Sequence, residues 1–209
     1  MAGEGFVPMD NYDLQVDIAR RIFMEYDQER IIRKFRLEAD EQYIYLTYLN
    51  TPCRISRTAG RVEAHTENAW RECREYSTVM TIYDLLCYNK DENVPPLSGQ
   101  WCAVGTFIVA GITETETFTK KYAQCFDGRL IELKAACEKL GGVLLPKMAG
   151  ADLTCEFPVT SFFSVLLQFW VGDEEFPPNA QILYSDNFVD GFLGADFVDD
   201  ADKGICNGN

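Results

Sequence analysis

Histidine is nearly absent from this chain of 209 residues, which carries one, His65. A multi-histidine metal centre is thereby excluded, and any general-base role falls to that imidazole or to carboxylates. Cysteine is plentiful, eight residues at 53, 73, 87, 102, 125, 137, 155 and 206, but C-x-x-C pairs are lacking. Neither a zinc ribbon nor a ferredoxin-type cluster motif is present. Also missing are a Walker A loop, a dinucleotide-binding glycine fingerprint and a G-x-S-x-G elbow. The longest strongly apolar run, Phe162 to Trp170, is about half the length a membrane-spanning helix needs. Residues 1–11 have no basic stretch followed by an apolar one, so no secretory leader is expected. These absences point to a soluble, cytoplasmic protein with reduced thiols and no membrane contact.

Positive charge is scarce at one end. Residues 148–209 hold 11 acids against Lys203 alone, a balance of −10, whereas residues 1–147 hold 22 acids and 18 bases, a balance of −4. The resulting net charge of −14 repels phosphate backbones, so nucleic acid is not an expected partner. What the chain does have, 47% hydrophobic and 25% charged residues, suits a globular domain burying roughly 70% of its unfolded surface.

Local patterns outline the elements. Asp10 or Asn11 caps a helix whose apolar stripe is Leu14, Ile18, Ala19, Ile22, Phe23 and Tyr26. Tyr43 to Leu49 is aromatic and β-branched, a strand that Thr51-Pro52 closes, and the arginine-rich stretch after it suggests a hairpin turning at Gly60. Val62 to Thr66, with His65, reads as turn-like. A second helix opens at Ser77 or Thr78 with Val79, Ile82, Tyr83 and Leu86 on one face, and ends before Asn89 to Pro96. A loop around Trp101 leads to a short strand near 107–109. Phe118, Tyr122 and Phe126 mark a third helix capped near Thr117, and Leu130 to Leu140 a fourth that Gly141-Gly142 terminates. Alternation at Leu153, Cys155 and Phe157 gives a half-buried strand, and Phe162 to Trp170 a central one. With no linker or repeat, the expectation is α+β: a single domain over 1–209, a mixed sheet with helices packed against it, and an acidic docked tail over about 186–209. In that tail Phe188, Phe192 and Phe197 dock while the aspartates stay solvated; an EF-hand pattern is lacking and no metal site is assigned. Cys87, Cys125, Cys137 and Cys155 sit among apolar neighbours and read as small hydrophobes.

The densest chemical signal is Phe169-Trp170-Val171-Gly172-Asp173-Glu174-Glu175-Phe176-Pro177-Pro178. Adjacent carboxylates between aromatic residues suit general acid/base work, which makes Asp173, Glu174 and Glu175 catalytic candidates. The same residues also suit a turn. Gly172 would take an unusual backbone angle, Asp173 would accept from free backbone N–H groups, and the prolines would fix the exit. Arg54, Arg57 and Arg61 form a compact basic cluster, either a charged strand edge or an arginine fork for an anion. Trp170, Trp101, Arg54 and Arg57 are the candidate ligand-binding residues.

Trp-x-Gly-Asp-Glu-Glu-Phe-Pro-Pro followed by Ile-Leu-Tyr-x-Asp, with Gly150-Ala151-Asp152-Leu153 and Pro96-Leu97-Ser98-Gly99-Gln100-Trp101 upstream and Asn11-Tyr12 near the start, resembles an uncharacterised bacterial and archaeal domain-of-unknown-function family. Its members occur largely in anaerobes, and some are fused to an iron–sulfur domain of the corrinoid-protein type. The resemblance implies an anaerobic cytoplasm and a small-molecule- or partner-binding accessory role, with an iron–sulfur or corrinoid protein as a candidate partner and no identified cofactor. This chain lacks the fused cysteine motif, so cluster binding does not carry over. An enzyme using the three carboxylates, and a divalent-metal protein using the tail, remain the competing readings.

Overall fold

The computed structural model describes residues 11–87, 94–103 and 122–187. It divides into two compact units: residues 1–46 with 51–89, and residues 47–50 with 90–209.

The first unit opens with α1 (Asn11–Glu25) and α2 (Gln28–Phe35). Asp27 caps α2 by accepting from Arg30 N at 3.1 Å, and Arg36 ends it in the left-handed region with φ 52°. Strands β1 (Glu38–Ala39), β2 (Tyr43–Tyr48), β3 (Thr51–Ser56), β4 (Val62–Thr66) and β5 (Ala69–Glu72) follow, then α3 (Tyr76–Cys87). The strands form one sheet in the order β1-β2-β3-β4-β5. Two of its reversals are two-residue turns with both residues at positive φ, Leu49 and Asn50 (44° and 63°) and Glu67 and Asn68 (50° and 61°), the geometry that matches strand twist. The reversal at Gly60 has φ 67° as expected, and a Cβ there would lie 2.8 Å from Arg20 Cγ. Thr51-Pro52 therefore begins a strand rather than closing one, and Val62 to Thr66 is strand β4 rather than a turn.

Alternation along these strands separates two faces. Ile44, Leu46, Cys53, Ile55 and Val62 are buried, as are Val79, Ile82, Tyr83 and Leu86 of α3. The stripe on α1 is narrower than expected: Ala19 and Phe23 are buried and Ile22 is half-buried, but Leu14, Ile18 and Tyr26 are exposed. The seam with α3 runs through Tyr12, Gln15 and Phe23, where Tyr12 meets Tyr76 edge-on at 4.8 Å, Tyr76 donates to Gln15 and Phe23 meets Tyr83 at 5.8 Å. Leu14 stands about 100° around the helix from Gln15, and Ile18 about 100° from the buried Ala19.

The second unit contains β6 (Trp101–Ala103), helical turns over 122–126, α4 (Leu130–Lys139), β7 (Val143–Leu144), β8 (Leu153–Thr160), β9 (Phe163–Trp170) and β10 (Asn179–Ser185). Its sheet has the order β6-β10-β9-β8-β7, and its pairings are antiparallel. Strand β9 is central, as its apolar run implies. On one face Leu153, Cys155 and Phe169 join Ala123, Leu133 and Cys137 in a buried cluster that Phe126, Phe157, Leu167 and Ala180 flank. Gly141 ends α4 at φ 83°, and Gly142 N donates to Cys137 O at 2.9 Å.

The α+β class holds. The strands nevertheless form two antiparallel sheets, not one mixed sheet, because short hairpins join β2 to β5 and β8 to β10, and a hairpin can only pair strands antiparallel. The strand near 107–109, the cap near Thr117, Phe118 and the tail beyond Asn187 lie outside the described residues.

Candidate functional site

The Trp170 to Pro178 segment is the β9–β10 connection, since Trp170 pairs with Asn179. Asp173 organises it. Its Oδ1 accepts from Glu175 N at 2.8 Å and Phe176 N at 2.7 Å, while its own N donates to Phe176 O at 2.9 Å. The loop is anchored at its root by two more aspartates: Val171 N donates to Asp152 Oδ2 at 2.9 Å and Gly172 N to Asp127 Oδ1 at 3.1 Å. The Val171 bond is the main reason the Asp152 carboxyl is held below its ordinary range. Gly172 does not use a positive φ; a Cβ there would lie 2.8 Å from Pro178 Cδ, so it is small because the loop closes on it. Glu174, Glu175 and Phe176 are exposed, Phe176 at 66%.

The upstream motifs meet the ends of this hairpin. Asp152 holds its root. At the far end Ser98 Oγ donates to Asp186 Oδ2 at 2.7 Å, Asp186 N donates to Gln100 O at 3.0 Å, and β6 pairs with β10 through Trp101 and Ser185. Asn187, buried, donates to Pro95 O at 3.0 Å and Phe162 O at 2.9 Å and accepts from Ser185 Oγ. Trp101 and Trp170 thus face opposite ends of β10, separated by about 20 Å of strand. The two tryptophans are not brought together.

Arg54 and Arg57 belong to the first unit, and their roles differ. Arg57 is spent on the fold. It bonds Asp40 O at 2.9 Å, Gln28 Oε1 at 3.3 Å and Glu29 Oε1 at 2.5 Å, tying α2 to the sheet. Arg54 lies on the half-buried sheet face, its guanidinium carbon 3.8 Å from the Tyr43 ring centre and 4.5 Å from that of Trp70. Its Nε and Nη2 both reach Glu63 Oε2 at 2.6 Å, from the neighbouring strand. His65 pairs across the strands with Trp70, and the rings meet edge-on at 5.1 Å. Tyr45, 6.4 Å from Trp70, donates to Asp40 Oδ2 at 2.7 Å, which holds the Asp40 carboxyl low and the Tyr45 phenol high. Trp70, Tyr43 and Glu63 escaped the sequence reading. The signal available was the alternation of Val62, Ala64 and Thr66 before an asparagine turn, which marks a hairpin.

The second unit has an open recess of about 190 Å³ lined by Tyr122, Ala123, Phe126, Leu133, Leu167, Phe169, Ala180 and Ile182. Every lining residue is apolar or aromatic. The recess lies where the sheet face bearing the buried cluster runs on toward β10, leaving Ile182 37% exposed.

No group of three or more histidine, cysteine or acidic residues able to hold a metal occurs among the described residues, and no described helix is long and apolar enough to cross a membrane. The seven described cysteines form no disulfide with one another. Cys87, Cys137 and Cys155 are buried, and burial pushes Cys87 and Cys155 each up to about 12, which makes them poor nucleophiles. Cys125, expected among apolar neighbours, is exposed.

The class these features define is an α+β protein with two antiparallel sheets and a small apolar recess. The chain belongs to the domain of unknown function family DUF3786, whose sequence model matches residues 27–195. No curated protein and no solved structure matches it.

Proposed function

We propose that this protein is a non-catalytic binding module that receives an apolar group, the arm of a small molecule or a side chain of a partner, in the recess between residues 122–126, α4 and strands β9 and β10. The observation that carries this reading is the uniform lining. Eight apolar or aromatic residues surround about 190 Å³, a volume smaller than drug-sized pockets, so it takes part of a ligand rather than the whole. Burying an apolar group there gains about 25 cal/mol per Å², with no polar group left unpaired on the protein side. We place this activity in the cytoplasm of an anaerobe, as an accessory to corrinoid or iron–sulfur metabolism, a placement that rests on the sequence resemblance.

The test uses the neutral fluorophore 1-aminoanthracene, because an anionic probe would be repelled by a chain of net charge −14. Saturable enhancement is expected, reduced about tenfold or more in affinity by A180F, which fills the recess, and by I182Q, which makes its wall polar. Enhancement that is absent, or unchanged in both folded variants, overturns the proposal. A melting temperature unmoved by hydroxocobalamin removes the corrinoid link and leaves the recess reading standing.

A further inference from the structure

The half-buried face of the first unit's sheet carries a second kind of chemistry. Strands β2 and β5 are separated by β3 and β4, which in a flat sheet puts them about 14 Å apart. The rings of Tyr45 on β2 and Trp70 on β5 are nevertheless 6.4 Å apart, so the sheet curls and the rings lean inward over Arg54. The result is a concave, aromatic-walled surface. Its shape is fixed by the Tyr45–Asp40 hydrogen bond on one side and by the Arg54–Glu63 ion pair at its centre, whose side chains are only 18% and 24% exposed.

Within that surface several polar atoms make no hydrogen bond to the described residues: Arg54 Nη1, Glu63 Oε1, the Tyr43 hydroxyl, the Trp70 indole N–H and both ring nitrogens of His65. Donors and acceptors are thus both on offer. Its central charges, Arg54 and Glu63, are paired with each other, and the Asp40 carboxylate at its edge accepts from Tyr45. A polyanion would meet that carboxylate, and a polycation would have to break the central pair. A neutral ring that is apolar on its faces and rich in hydroxyls at its edge needs neither cost: its C–H face lies on indole or phenol, and its hydroxyls donate to carboxylate and accept from guanidinium.

We propose that this concave face, formed by Tyr43, Tyr45, Arg54, Glu63, His65 and Trp70, is a binding site for a neutral sugar ring. The parts of the Trp70 and Tyr43 rings that Arg54 leaves uncovered supply the stacking surface, Arg54 Nη1 and the indole N–H donate to ring hydroxyls, and Glu63 Oε1 accepts from them. The site is independent of the apolar recess, and either can fail without the other.

Affinity electrophoresis of the full chain through gels containing laminarin, xylan, galactomannan or pullulan, with heparin as the anionic control, tests this. The same sugars as soluble oligosaccharides are titrated against the fluorescence of a W101F/W170F variant, in which Trp70 is the sole tryptophan. Retardation by at least one neutral glycan and a saturable Trp70 response are expected. W70A should weaken binding about tenfold or more, and E63Q, which keeps the size of the side chain, should weaken it while the chain still unfolds cooperatively. Should W70A fail to fold, Y43L reports on the same wall. Retardation by no neutral glycan, retardation by heparin alone, or retention unchanged in W70A and E63Q overturns the proposal.

Discussion

The two sheets have the same strand count and opposite chemistry. In the first unit, one face of the sheet is apolar and the other is built from tyrosine, tryptophan, histidine and paired charges. Ten of the chain's eleven arginines precede residue 75, and four of them are matched to nearby glutamates. In the second unit, β9 is shielded on both faces, and hydrogen-bonded aspartates do the local work that ion pairs do in the first. The difference teaches where each unit's stability resides. The second depends on packed apolar volume under one sheet face. The first carries, besides its core, titratable groups whose surroundings make it sensitive to pH.

Removing apolar volume should therefore give the largest effect. Phe169 is 1% exposed, sits in the buried cluster and also forms a wall of the recess. Phe169→Ala should destabilise by about 3–5 kcal/mol, read from urea unfolding. A loss below about 1 kcal/mol would mean that the second unit does not depend on that cluster, and the contrast between the units would collapse.

The pH effect comes next, and it belongs to the first unit. Asp84 on α3 stands beside Tyr83 and Leu85, makes no ion pair or hydrogen bond among the described residues, and burial pushes its carboxyl from 3.8 up to about 6. Because the folded form holds the proton more tightly, its contribution is fully present below pH of about 4 and is lost as pH rises through about 6. Stability should fall across that window, by at most about 3 kcal/mol from this group. Asp84→Asn should flatten the slope and stabilise the protein at pH 7, measured as unfolding midpoints from pH 4 to 8. An unchanged slope in the variant would show that Asp84 is solvated in the folded state.

Much of this was legible in the sequence where one period dominates a segment. The helices at Tyr76–Cys87 and Leu130–Lys139, the strand at Leu153–Thr160 and the central strand at Phe163–Trp170 all carry a clear apolar pattern, and each was expected within a few residues. Less legible were the strands whose exposed or half-buried residues are polar or aromatic. Strand β10 exposes Asn179, Gln181 and Ile182, and β5 is Ala69-Trp70-Arg71-Glu72, so neither shows a hydrophobic alternation. The turn at Leu49-Asn50 was missed because a leucine at φ 44° carries no turn signal; the chain holds it there against its preference. For the same reason the concave face went unseen. Its members come from four strands, and no spacing along the chain reports that Trp70 and Tyr43 share one guanidinium. What the sequence did show was the dual capacity of the Trp170 block, and its turn chemistry is visible in the hydrogen bonds of Asp173.

That block gives the smallest effect and the sharpest distinction. Asp173 accepts from two backbone N–H groups at 2.8 and 2.7 Å, whereas Glu174 and Glu175 are exposed at the loop tip, their carboxylates in no hydrogen bond or ion pair among the described residues. Asp173→Ala should cost about 1 kcal/mol, because the amides of Glu175 and Phe176 lose their acceptor. Glu174→Ala and Glu175→Ala should each stay within about 0.5 kcal/mol of the parent, as surface changes do. Equal losses at all three positions would deny Asp173 its separate role as the organiser of the loop. The three carboxylates adjoin in sequence, but hydrogen bonding divides them: one is committed to holding the hairpin, and two are left free for whatever approaches its tip.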